Sequence, residues 1–247
     1  GAVVELVFAD DTAGWIIKQN NAPSDLGAES YAEYTSATGG TVTESGDFKI
    51  HSFTGDGCFV VSTVGNDAGG SDVVDYLVVG GGGAGGNSNG GGGGAGGFRE
   101  SKSPSAGTYT ASPLATPTGI TATVQTYPIT VGAGASAGPS TGTTASVVNG
   151  SNSVFSTITS AGGGGGGSGY GPGPHNPGDD GGSGGGGGTN GGTGGSGNTP
   201  PVSPSQGKNG GNATPSSPHL GGGGGGATAV GFNHNAPSCA GFGGAGA

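Results

Sequence analysis

The sequence predicts an all-β protein: a short N-terminal antiparallel β-module, then a glycine-rich body of packed polyglycine II helices with interspersed strands, and no substantial α-helix. Three observations lead there. The chain of 247 residues holds 67 Gly and 15 Pro, so no long segment can be helical when each interior Gly costs about 1 kcal/mol relative to Ala. Its apolar residues sit in short runs rich in Val, Ile, Phe and Tyr, bounded by Gly, Asp and Asn, which is the strand-and-turn pattern. Its glycines come in runs without the strict every-third period of collagen. Hydrophobic residues make up 29% and charged residues 8%, too little for the core of a conventional enzyme of this length.

The elements follow in order. Val3 to Phe8, a polar turn through Gly14, and Trp15-Ile16-Ile17 read as a hairpin, the first module (residues 1–47). Phe48 to Phe53 alternates as a strand with one buried and one wet face; Gly55-Asp56-Gly57 turns it, and Cys58 to Val64 returns. Val73 to Val79 is dense enough in apolar residues for a central strand and runs into the first Gly tract. Ile120 to Val131 and Val154 to Thr159 are further strands, which bounds a β-rich region at 48–160. Residues 161–247 form the polyglycine bundle.

The tracts lie at 80–86, 90–97, 162–169, 181–197, 221–226 and 241–246. A flexible linker is the compositional alternative. Against it, the residues between tracts carry few charges and include Phe155, Ile158, Tyr170, Val230 and Phe232, whereas disordered chains are charged and poor in such side chains. An ordered Gly run extends as a left-handed helix of three residues per turn whose N–H and C=O groups point outward. Packed side by side, such helices satisfy one another's backbone, and only Gly lets them come that close. A body built so needs no apolar core, which leaves the connecting loops at 170–180, 198–220 and 227–240 free for binding. The binding candidates there are Tyr170, His175, Asp179, Asp180, His219, Phe232 and His234.

Chemistry is sparse. Fifteen acidic against five basic residues give a net charge of −10, and the five bases never cluster, so nucleic acid is not the expected partner. No apolar run approaches the length of a membrane span, and membrane insertion is not expected. G-x-G-x-x-G matches are unavoidable in poly-Gly, and no helix can follow Gly80 to complete a dinucleotide site. Adjacent Asp179 and Asp180 cannot face one glycosidic bond from two sides. His51, His175, His219 and His234 are scattered without metal-ligand spacing. Neither an enzyme nor a cofactor nor a metal is expected. Cys58 and Cys239 read as two free buried thiols. Asn149 and Asn212 head glycosylation-acceptor triplets of the kind that chance supplies in so Asn/Ser/Thr-rich a chain.

Phe48 to Phe53, Gly55 to Val64 and Val74 to Val79 running into Gly80, then GGGGAGGFRE at 91–100, YPITVGAG at 127–134, NSVFSTITSAGGGGGG at 152–167, GNTPPVSPSQGKNGG at 197–211 and GGGGGGATAVG at 221–231 resemble, in that order, the glycine-rich domain of bacteriophage tail-fibre and adhesin proteins, marine phages especially. The resemblance covers residues 48–247. It implies a virion component that is extracellular, stacked polyglycine helices, and attachment to a host surface glycan or outer-membrane protein through loops between Gly runs. It also implies other fibre or virion proteins as partners, in a homo-oligomer such as a trimer. The other function class to weigh is a self-assembling extracellular fibril, suggested by the open edges that the N-terminal strands would carry.

Overall fold

A computed structural model describes residues 5–10, 14–19, 32–66, 72–104, 106–137, 147–169, 177–215, 220–234 and 241–247, the first two as backbone strands. The protein is all-β: the described residues hold strands and extended segments and no helix. The strands are β1 (Glu5–Asp10), β2 (Gly14–Gln19), β3 (Ser36–Thr38), β4 (Thr41–Ser45), β5 (Phe48–Ser52), β6 (Gly57–Thr63), β7 (Val73–Val74), β8 (Leu77–Val79), β9 (Phe98–Glu100), β10 (Ile120–Thr121), β11 (Thr126–Thr130), β12 (Ser153–Phe155) and β13 (Ile158–Ser160).

One antiparallel sheet of five strands, in the order β13-β12-β11-β6-β3, carries the apolar core. Phe59, Val61, Tyr127 and Phe155 point to one face of it and meet Tyr76, Val78 and Ala122 there. The rings of Phe59, Tyr127 and Phe155 pack with centroids 5.9–6.2 Å apart, the Phe59 and Phe155 rings edge to face. Such pairs add about 0.5–1.5 kcal/mol each beyond the area they bury. The Tyr127 hydroxyl lies 2.9 Å from the Thr123 N–H that it accepts, so its polar end is satisfied. Asp56 fixes the turn before β6 by accepting the Val131 N–H at 2.8 Å.

The strand pairing departs from the sequence expectation in four places. The run from Ile120 to Val131 is not one strand but two, β10 pairing with β7 and β11 with β6 and β12. β5 does not return along β6. It pairs with β4 across Gly46 (φ 56°), and this hairpin is exposed on both faces apart from a half-buried His51. The run from Val73 to Val79 is not one central strand. Asp75 leaves the ladder to accept hydrogen bonds from Ser101 Oγ, Ser103 N and Ser103 Oγ at 2.6–2.8 Å, which splits it into β7 and β8. The run from Val154 to Thr159 is likewise two strands, turned back at Ser156, whose φ is 53°. The expected N-terminal hairpin does pair, as β1 with β2, over Glu5–Phe8 and Trp15–Ile17; residues 3 and 4 lie outside the described residues.

Beyond the sheets the chain is held by its own backbone in a three-residue rhythm. Gly80, Gly83 and Gly86 donate to the carbonyls of Gly97, Gly94 and Gly91 at 2.8–2.9 Å. Gly81 and Ala84, one position on, donate instead to Ser151 and Val148 and accept from Gly163 and Gly166. Gly164 and Gly167 donate to Ser183 and Gly186, while Gly184 and Gly187 donate to Lys208 and Gly211. Segment 181–189 is buried throughout and exchanges backbone hydrogen bonds with segments around 92, 162–167, 179, 192–198, 208–211 and 222–225. The only buried apolar side chains in this part are Ala161, Ala213 and Ala227 among the described residues. Backbone, not side chain, fills the interior.

Close approach explains the glycine. A Cβ on Gly80, Gly83 or Gly86 would stand 2.0–2.2 Å from the carbonyl oxygens of Ala161, Gly164 and Gly167, again every third residue. On the outward row, Gly82 and Gly85 would meet nothing closer than 3.6 Å. The inner rows admit no side chain.

Candidate functional site

The third donor row of a segment at the edge of this body has no glycine neighbour to bond, and side-chain oxygens take that place. Gly162 and Gly165 donate to Oδ1 of Asn152 and Asn149 at 2.9 and 2.7 Å. Gly194 and Gly197 donate to Oδ1 of Asn212 and Asn209 at 2.8 and 2.9 Å. In both cases two asparagines three residues apart serve two amides three residues apart, running the other way. Asp180 does the same for Ser196, whose N–H lies 2.6 Å from its Oδ1.

One of these edges also carries a groove. Segment 229–234 lies against segment 209–212, with Gly231 N donating to Asn209 O and His234 N donating to Asn212 O, both at 2.9 Å. The period of three leaves Gly231 and His234 buried and Val230, Phe232 and Asn233 exposed. Between the segments runs an open groove of about 420 Å³ lined by Asn209, Asn212, Val230, Phe232 and Asn233 together with backbone of neighbouring glycines. Phe232 is 60% exposed and Val230 56%. Asn233 Oδ1 accepts the Asn212 N–H at 2.7 Å, so all three groove asparagines have their carbonyl end engaged. Among the described residues no ionisable side chain lines the groove.

The residues singled out from sequence fall in different places. Phe232 is in the groove. His234 is not on a surface at all. Its side chain is fully buried, with Nδ1 2.7 Å from Thr214 Oγ1 and Nε2 without a partner among the described residues, so it packs behind the groove wall. Asp179 is held by its backbone, donating to Gly165 O and accepting from Gly185 N, each at 2.9 Å. Asp180 serves Ser196, as above, and is exposed. Tyr170, His175 and His219 lie outside the described residues, as does Cys239. Cys58, expected to be buried, is an exposed free thiol, because it sits on β6 where the sheet turns away from its core. Among the described residues no three His, Cys, Asp or Glu side chains converge on a point that could hold a metal ion.

The loop after Asn198 is less free than its proline content suggests. Asn198 Oδ1 accepts from Val202 N and Gln206 N at 3.1 Å. The buried Gln206 side chain accepts from Ala161 N and donates to Pro200 O, each at 2.8 Å, which ties the loop to the base of the body. Sequence reading missed Asn149, Asn152, Asn209 and Asn212. Their signal was the spacing of three beside Gly runs, a period that strand and helix templates do not contain.

No curated protein and no solved structure matches the chain. A family described as a glycine-rich domain matches residues 62–247, which takes in every glycine tract and the groove. Three-quarters of the sequence lies inside that match, and the chain belongs to the glycine-rich domain family.

Proposed function

We propose that this chain is the structural and receptor-binding domain of a bacteriophage tail fibre, attaching a virion to a host cell surface through residues exposed between its glycine segments. The observation that carries this reading is the groove of Asn209, Asn212, Val230, Phe232 and Asn233 on a body whose interior is filled mainly by backbone and needs no large apolar side chain. The three-residue hydrogen-bond rhythm supports polyglycine II helices as that body. Exposed side chains such as Val230 and Phe232 can vary on such a scaffold without touching the fold, which suits a surface that must follow a changing host. The order of glycine blocks that resembles phage fibre domains points the same way.

The experiment is binding of the fluorescently labelled protein to a panel of bacterial strains. Saturable binding to a subset of strains, lost in Phe232→Ala with unchanged melting, is expected; absence of binding to every strain would sink the reading. The two-stranded β1–β2 hairpin, with both outer edges unpaired among the described strands, favours a second reading, a self-assembling fibril subunit. Electron microscopy at micromolar concentration separates the two: discrete particles of one to three chains support the fibre domain, and growing filaments support the fibril.

A further inference from the structure

We infer that the groove binds a neutral oligosaccharide, with the amide groups of Asn209, Asn212 and Asn233 donating to sugar oxygens and Phe232 covering a pyranose face. This deepens the receptor-binding reading and rests on it.

The polarity of the groove is one-sided. An asparagine offers one acceptor oxygen and two N–H donors. Here Gly197 N, Gly194 N and Asn212 N already occupy the three Oδ1 atoms, at 2.7–2.9 Å. Those bonds also fix which end of each amide is which. The three Nδ2 groups have no partner among the described residues, so the groove presents donors held in place before any ligand arrives. A ligand that brings acceptors matches these free donors. Hydroxyl, ring and glycosidic oxygens do so without charge.

Charge narrows the choice further. Among the described residues no Asp, Glu, Lys, Arg or His side chain lines the groove, so a bound ion would find no partner there. A neutral ligand meets no such penalty. Phe232 and Val230 supply an apolar strip alongside the donors, which matches the C–H face of a pyranose next to its hydroxyl rim. Asn209 and Asn212 stand one three-residue repeat apart, about 9 Å at the rise of a threefold extended helix, wider than one sugar ring. The ligand is an oligosaccharide, not a monosaccharide.

The test uses a strain that the protein binds, treated in parallel with periodate, which cleaves vicinal diols, and with proteinase K. Binding should vanish after periodate and persist after proteinase K, and the neutral O-polysaccharide purified from that strain should compete. Phe232→Ala and Asn212→Asp should each weaken that polysaccharide's binding about tenfold or more, because each removes a contact of the size that one order of magnitude represents. Asn212→Asp keeps an acceptor for Gly194 N–H and so keeps the fold, which unchanged melting will verify. Tyr34→Ala removes an exposed aromatic outside the groove and should bind as the parent does. Binding that survives periodate but is lost to proteinase K would identify a protein receptor and overturn the inference while leaving receptor binding intact. So would undiminished polysaccharide binding by both groove variants. Absence of binding to every strain would overturn both.

Discussion

Replacing Gly186 with Ala tests whether backbone packing holds the body together. The added Cβ would stand 2.1 Å from Gly222 O and 2.6 Å from Gly222 C. Ordinary contact begins near 3.4 Å, so segment 221–226 must retreat by more than an ångström. Gly222 N and Gly225 N bond Gly187 O and Gly184 O at 2.8 Å, and Gly186 N bonds Gly92 O at 2.7 Å; a retreat of that size takes the first two beyond hydrogen-bond range. Each buried amide left unpaired costs about 1–3 kcal/mol, and overpacking adds about 1–3 kcal/mol. The expected loss is about 3–9 kcal/mol, a large share of the stability of a domain this size. Gly85→Ala is the control. Its Cβ would meet nothing nearer than 3.8 Å, and its backbone is not in the left-handed region, so its effect should lie within about 0.5 kcal/mol or be slightly stabilising. Urea unfolding of both variants reads the difference. If Gly186→Ala unfolds at the parent's midpoint, the segments are not packed as described.

Other expectations follow from single contacts. Asn149→Ala and Asn152→Ala each strip the acceptor from a buried amide, Gly165 N or Gly162 N, and should cost about 1–3 kcal/mol by urea unfolding; Asp at either position should restore most of it. Burial raises the phenol pKa of Tyr76 above its ordinary value of 10.0, against the opposing pull of Arg99. The folded state thus favours the neutral phenol. That contribution is fully present below about pH 10 and is lost as pH rises through the folded value, so stability should fall in that range and fall less in Tyr76→Phe. Cys58, exposed on β6, should react with a thiol reagent in the native protein without a change in melting.

How far the fold could be read in advance depended on where the chain's own chemistry overrode its pattern. β1–β2 was legible because apolar runs and a Gly-containing turn agreed, whereas β-branched composition over Ile120–Val131 marked strand without showing the break between β10 and β11. Val73 to Val79 misled because its apolar density hides Asp75, whose carboxylate finds three donors on Ser101 and Ser103, far along the chain. β4 was passed over since Thr41 to Ser45 lacks an apolar face, and the hairpin it makes with β5 is exposed accordingly. In the groove, Phe232 was legible as an uncharged aromatic between Gly runs. Asn209 and Asn212 were not, because what they satisfy is the unfilled third row of a neighbouring segment, a requirement that exists only once the segments pack. His234 shows the reverse error: a polar residue in a loop was read as exposed, and it is fully buried.

The central claim is that the glycine segments form an ordered, mutually hydrogen-bonded body that can carry a recognition groove. Amide hydrogen exchange tests it most directly. The account predicts that Gly184, Gly186, Gly187, Gly222 and Gly225, which all donate to other segments, exchange as slowly as the core strand β6, while the outward Gly82 and Gly85 exchange fast. Complete exchange of the segment 181–189 amides at the first time point, with β6 still protected, would mean that the glycine segments are linkers and would contradict the account.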